Sequence, residues 1–161
     1  MKIVPDDFVV PEGFKTSKYI LKPLKVDYLV KDYDAVMSSV DLLKGKFGVN
    51  RNWPSKEFTI EQNLIDLGWH QKEFQKRHSF AYSVWSVDEI EYLGCVYIFP
   101  SSKVDYEVEV YCLVRASVVD MEDYLFKTVL EWIKKDWPFK RVAYPGRIVS
   151  WDDWELSANK E

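Results

Sequence analysis

Three alternating runs in immediate succession, Phe80–Trp85, Leu93–Phe99 and Val108–Arg115, leave this chain few architectures to choose from. In the first, Phe80, Tyr82 and Val84 alternate with Ala81, Ser83 and Trp85. In the second, Leu93, Cys95, Tyr97 and Phe99 alternate with Gly94, Val96 and Ile98, and Pro100 ends the run. In the third, Val108, Val110, Cys112 and Val114 alternate with Glu107, Glu109, Tyr111, Leu113 and Arg115. A period of two marks strands, because successive side chains leave opposite faces. The segments around Asp88–Glu91 and Ser101–Asp105 are short enough to close antiparallel hairpins.

Around this meander the period changes. Tyr33, Val36, Met37, Val40 and Leu43 fall on one helical stripe beginning near Asp32. Gly45, Gly48, Asn50 and Asn52 make Lys44–Pro54 a loop. Thr59 followed by Gln62 has the capping-box spacing, and Ile60, Leu64, Leu67 and Phe74 predict a second helix to about Arg77. A third begins near Asp120, with Met121, Leu125, Val129 and Trp132 in register and Pro138 as its limit. With Tyr19–Lys25 and Arg141–Tyr144 as further strands, the order is β-α-α-β-β-β-α-β. That predicts an α+β fold, a mostly antiparallel mixed sheet with helices on both faces. Residues 1–18, with Pro5, Pro11 and Gly13, read as an extended arm, residues 19–156 as one domain, and residues 157–161 as a frayed tail.

Composition narrows the function. A net charge of −4 with scattered Lys and Arg provides no basic face for nucleic acid. No apolar run is long enough for a membrane span, and Met1–Gly13 lacks the pattern of a signal peptide, so the expected location is cytoplasmic. Cys95 and Cys112 lie inside apolar runs and read as buried free thiols. His70 and His78 flank a basic stretch without a third ligand at metal spacing, so they read as surface residues, and no metal site is expected.

The element order, the Leu93–Phe99 run LGCVYIF and the Val108–Arg115 strand leading into a helix together resemble the GNAT-fold N-acetyltransferase family, over roughly Tyr19–Arg147. The resemblance implies an acyl-CoA-dependent N-acyltransferase, with acetyl-CoA as donor and an amine of a small molecule or a protein attacking directly. In such proteins the fourth strand splays from the fifth and the donor enters the gap. Backbone groups at Leu113 and Val114 would then hold the pantetheine arm. Arg115 stands at the first position of the family's Gln/Arg-x-x-Gly-x-Gly/Ala pyrophosphate loop, with Ser117 and Val118 following. Val118 and Asp120 occupy the two glycine positions. A β-branched residue restricts the backbone there, and a carboxylate opposes a phosphate. The chain after Arg147 is too short for the helix and strand pair that usually follow. The chain is then a short form, a sheet completed by a partner, or, as the alternative function, a non-catalytic GNAT-like binding or interaction domain that has lost its affinity for CoA.

Glu107, Glu109 and Tyr111 share a strand face. By the resemblance, Glu109, nearer the splay, is the candidate general base acting through water; an ammonium must lose a proton before it can attack a thioester. The same face also reads as solvated strand surface. Trp53 is the candidate acceptor wall, or a hydrophobic staple ahead of the second helix. Lys140, Arg141 and Arg147 are candidate phosphate cations. Trp132 fits the core by spacing. Trp151 and Trp154 pack on the domain, or form an aromatic patch for a ligand or a second copy of the chain.

Overall fold

The computed structural model describes residues 1–160, and the three alternating runs form the centre of a six-stranded sheet. In chain order the strands are β1 (Phe14–Lys15), β2 (Ile20–Pro23), β3 (Phe80–Trp85), β4 (Tyr92–Pro100), β5 (Val108–Val114) and β6 (Val142–Ala143). They lie in the sheet in the same order. Every neighbouring pair is antiparallel except β5 and β6, which are parallel. The helices are α1 (Leu29–Met37), α2 (Val40–Leu43), α3 (Ile60–Lys76), α4 (Glu122–Asp136) and α5 (Trp151–Leu156).

Both faces of β3 are buried along its whole length, which explains why its alternation is apolar against apolar. On one face, Tyr82, Val96, Ile98, Val110 and Val114 pack with Leu125, Val129, Trp132 and Ile133 of α4. On the other, Ala81, Cys95, Tyr97, Tyr111 and Leu113 pack with Ala35 and Val36 of α1 and Leu67 of α3. The expected mixed sheet with helices on both faces is thus the observed one.

At one point β4 and β5 approach so closely that only glycine fits. A Cβ on Gly94 would run into the Leu113 carbonyl and lie 2.9 Å from the Val114 Cα, closer than real side chains come to backbone.

The helical stripe predicted from Asp32 to Leu43 breaks into α1 and α2 at Ser38 and Ser39. Their hydroxyls engage backbone groups: Ser38 Oγ donates to the Ala35 carbonyl at 3.2 Å, and Ser39 Oγ accepts from Ala116 N–H at 2.8 Å. The capping box on α3 forms as spaced, with Gln62 N–H on Thr59 Oγ1 at 3.2 Å and Thr59 N–H on Gln62 Oε1 at 2.8 Å. The stripe expected for α3 is half met: Leu67 is buried and Phe74 packs on the core, but Ile60 and Leu64 are exposed and Asn63 is buried in their stead.

The N-terminal arm is laid onto the α4 side of the sheet. Val4 is buried there, and Arg77 Nη1 donates to the Pro5 and Phe8 carbonyls at 2.7 and 2.8 Å. The tail, expected to fray, is tied down as far as Lys160. Asn159 bridges Lys103, and Lys160 N–H donates to the Ser102 carbonyl at 2.7 Å. Glu161 lies outside the described residues.

Candidate active site

Strands β5 and β6 pair only through Val108 with Val142 and Glu109 with Ala143. Past Ala143 the chain turns through Pro145–Val149, where Gly146 takes φ +73° and its N–H closes on the Val149 carbonyl at 2.8 Å. The side of β5 facing β6 is therefore without a strand partner beyond Glu109. A cavity of about 170 Å³ opens there, lined by Val110–Leu113, Phe126, Pro145–Arg147, Trp151 and Lys46. The sheet forks where the resemblance called for a splay. Leu113 lines this fork, whereas Val114 is buried in the core on the α4 face.

The head of α4 stands over the mouth of the fork. Between β5 and α4, Ala116–Met121 forms a 3-10 turn. The Arg115 guanidinium is tied away from it, to Asp34 at 2.9 Å, Ser38 Oγ at 3.2 Å and the Tyr92 carbonyl at 3.4 Å. The Ala116 amide is taken by Ser39, and the Val118 amide by the Arg115 carbonyl at 3.1 Å. Ser117 is exposed, and Val118 packs against the core with φ −129°. Glu122, only 15% exposed, binds Lys46 Nζ at 2.6 Å and Arg147 Nη2 at 2.9 Å; Arg147 Nη1 also binds Asp123 at 2.9 Å. Carboxylates thus occupy the helix terminus where a phosphate would bind, and two cations from distant loops neutralise them.

The fork's amide-bearing edge fits an extended pantetheine arm. The acidic head of α4 does not fit a pyrophosphate, and Arg115 is not free to meet one.

The second and larger cavity, about 460 Å³, lies on the opposite face of the sheet, between β4, β5, α3 and the loop after α2. Its floor is Tyr97, Phe99, Glu109 and Tyr111, and its walls include Phe47, Trp53, Trp69 and His70. The aromatic rings touch one another. Phe47 lies 5.2 Å from Trp53, 5.4 Å from Tyr97 and 5.0 Å from Tyr111, centroid to centroid.

Glu109 enters this cavity from the last paired position of the fork. Its Oε1 accepts from the Tyr111 hydroxyl at 3.3 Å, while Oε2 is buried without a partner. Burial pushes its carboxyl above the usual range, against the pull of the Tyr111 hydroxyl, the Ser102 amide, and the charges of Arg51 and Lys103. Also in the lining, buried Asp32 accepts from Tyr92 Oη at 2.6 Å and Asn63 Nδ2 at 2.8 Å. Burial raises its carboxyl as well.

Trp53 lines this cavity and also packs on Phe58, the residue before the Thr59 cap, at 6.3 Å. Wall and staple are one side chain. His70, expected on the surface, is half-buried between Tyr97 and Phe99 at 5.0 and 6.0 Å, and burial lowers its pKa to about 4. Its i, i+3, i+7 spacing with Leu67 and Phe74 was the available signal. Phe47, Arg51, Asp32 and Asp66 carried no local motif.

Glu107 is not a partner of Glu109. It accepts from the Lys140 and Arg141 amides at 2.7 Å each, which fixes the closed end of the fork away from α4's head. The tryptophan patch offered for a second copy does not form. Trp154 is buried against Tyr106, and Trp151 packs over Gly146, where a Cβ would lie 2.7 Å from its Nε1. Among the described residues, no helix is long and apolar enough to cross a membrane.

No protein-family model matches the chain. No curated protein matches it. Solved structures do. The ribosomal-protein-S5-alanine acetyltransferase of Vibrio fischeri superposes with a TM-score of 0.63 at 16% identity, over 84% of this chain and 75% of that one. An acetyltransferase of Salmonella typhimurium that modifies the N-terminal serine of ribosomal protein L7/L12 gives 0.57 at 9% identity, over 75% and 67% of the two chains. The microcin C7 self-immunity acetyltransferase MccE, solved with acetyl-CoA and AMP, gives 0.55 at 14% identity, over 79% and 69%. The fold of this chain is that of the GNAT acetyltransferases.

Proposed function

We propose that this protein is a GNAT-type N-acyltransferase whose acceptor amine enters the aromatic cavity and meets Glu109 beside the fork. The observation that carries this reading is Glu109 itself. It is a half-buried carboxylate on the cavity floor whose Oε2 is itself buried and has no hydrogen-bond partner, at the last residue pair before the strands separate. Acyl-CoA, with its arm along β5, would supply an electrophilic thioester carbonyl, as the likeness to MccE with its acetyl-CoA suggests.

The other roles belong to the chain. Aromatic walls orient the acceptor and exclude water from around it. Glu109, its pKa raised by burial, removes the ammonium proton directly or through one water, exposing the nitrogen lone pair. Tyr111 holds the carboxylate in place through its hydroxyl. Direct attack needs no nucleophilic side chain. Both thiols fit that reading: Cys95 and Cys112 are buried, and burial pushes Cys112 up to about 12. Buried free thiols also suit the cytoplasm, where we place the protein.

A second reading rests on a separate observation, the carboxylates at the head of α4. On that reading the domain keeps the cavity as a binding site and has lost the donor. One experiment separates the two. Thiol release from about 1 mM acetyl-CoA is followed over a panel of amines, with melts alongside. Amine-dependent thiol release that falls about 100-fold or more in Glu109→Gln supports acyl transfer. No release with any amine, and no shift of the melt by acetyl-CoA, leaves the binding domain.

A further inference from the structure

The aromatic cavity is more selective than the word amine conveys. Its walls and floor carry six aromatic rings, from Phe47, Trp53, Trp69, Tyr97, Phe99 and Tyr111. A volume of about 460 Å³ is in the range of small-ligand pockets and holds a single ring with a short chain. Such walls reward a flat apolar body, since the ring faces pair edge-on or offset with another ring.

The polar groups are placed unequally. Glu109 Oε2 and His70 Nδ1 are both buried without hydrogen-bond partners. Asp32, buried and already hydrogen-bonded to Tyr92 and Asn63, and Asp66, at the exposed rim, add two more carboxylates, and among the described residues Arg51 is the only Lys or Arg lining the cavity. With its pKa lowered to about 4, His70 is neutral at physiological pH and adds no positive charge. A buried carboxylate oxygen without a partner costs free energy that a donor would recover, and a cation would recover more than a hydroxyl. A carboxylate or phosphate ligand would meet Glu109 instead. A polyamine would place a chain of hydrated ammonium groups against aromatic walls, where Asp32 is already bonded by Tyr92 and Asn63 and Glu109 alone of the deep carboxylates has an oxygen without a partner.

We propose that the cavity takes a small arylalkyl primary amine, its ring packed against the cluster of Phe47, Trp53, Tyr97 and Phe99 and its ammonium on Glu109. This names the acceptor class for the acyltransferase reading and rests on taking the cavity as the acceptor side of the site. The transfer would join the amine nitrogen to the acyl carbon and break the carbon–sulfur bond. The ammonium gives up two protons on becoming an amide: Glu109 takes one, and the other protonates the departing thiolate.

The test uses binding alone, with no acyl donor, so that it stands apart from catalysis. Titration calorimetry on the full chain compares 2-phenylethylamine with 2-phenylethanol, phenylacetate and spermidine. The expected result is 2-phenylethylamine binding at least about tenfold more tightly than the other three. Glu109→Gln should remove the preference for amine over alcohol while melting as a folded protein. Trp53→Ala should weaken both aryl ligands. If Trp53→Ala fails to fold, Phe99→Leu, which removes a ring at similar volume, takes its place and should do the same.

Spermidine or phenylacetate binding as tightly as 2-phenylethylamine overturns the proposal. So does an amine preference that survives in Glu109→Gln, or no binding at millimolar ligand. Arylalkylamine binding without thiol release from acetyl-CoA supports the cavity assignment and sinks acyl transfer. Thiol release with spermidine but not with 2-phenylethylamine does the reverse.

Discussion

The head of α4 makes the sharpest quantitative claim. Lys46 and Arg147 bring two positive charges there, and Glu122 and Asp123 cancel them. The double substitution Glu122→Gln, Asp123→Asn leaves both cations facing a helix N-terminus, which is the composition of an anion site. Two unit charges ~5 Å apart interact by about 1 kcal/mol in water and by about 3 kcal/mol at an effective dielectric of 20. Glu122 is 15% exposed and falls toward the larger figure; Asp123, 80% exposed, adds little after screening. Removing their repulsion should therefore favour a bound pyrophosphate by about 2–3 kcal/mol, or about 30- to 150-fold in Kd. Calorimetry with acetyl-CoA at low ionic strength reads the change directly, and the gain should shrink as salt is added. Losing the ion pairs and the helix-terminal charge should lower the unliganded Tm by a few degrees. The ligand-induced shift is therefore compared within each variant. Wild-type protein that already binds acetyl-CoA at low micromolar Kd, with no gain in the double variant, would show that the phosphates lie elsewhere and refute the reasoning.

Other substitutions test other links. Gly94→Ala drives a methyl into the Leu113 backbone and should destabilise by on the order of 3 kcal/mol or more in urea melts, a larger loss than an overpacked side chain usually causes. Glu109→Gln should raise Tm at neutral pH. A carboxyl whose folded pKa is raised contributes stability below its unfolded value of 4.5 and loses it as pH rises through the folded pKa, so the variant's advantage must vanish in acid. His70 has the opposite sign. Its pKa, lowered from 6.5 to about 4, gives stability that is complete above 6.5 and lost as pH falls through 4, about 3 kcal/mol in all. His70→Phe should flatten that acid limb in denaturant titrations between neutral pH and pH 4; an unchanged limb would remove His70 as its source.

Much of the fold was legible because the meander is local. Its period, its two short turns and the helix after Arg115 are all written in neighbouring residues, and the boundaries of β5 and the capping box of α3 follow from them. The site was less so. Glu109 and Trp53 could be singled out from strand face and loop, and both line one cavity. The rest of that cavity depends on how α3 is turned. Ile60 and Leu64 suggested the wrong face, because apolar residues on a surface helix are common and the buried polar pair Asn63–Asp32 outweighs them. The surroundings of the pyrophosphate-loop candidates were hidden for a different reason. Arg115 and the amides around it found partners in Asp34, Ser38 and Ser39, some eighty positions away, and no local pattern announces such contacts.

The close approach at Gly94 bears on how this protein can change. With the Leu113 carbonyl in the place of a side chain, β4 and β5 are locked in one register. Tyr97, Phe99, Glu109 and Tyr111 are therefore held as one rigid plate. Phe47, Arg51 and Trp53 come instead from a single irregular segment between α2 and α3. The plate keeps the Glu109 carboxylate and its geometry, while that segment sets the shape of the cavity's other wall. Substitutions confined to residues 44–58 can therefore recut the cavity for a new ligand without disturbing the sheet that holds Glu109.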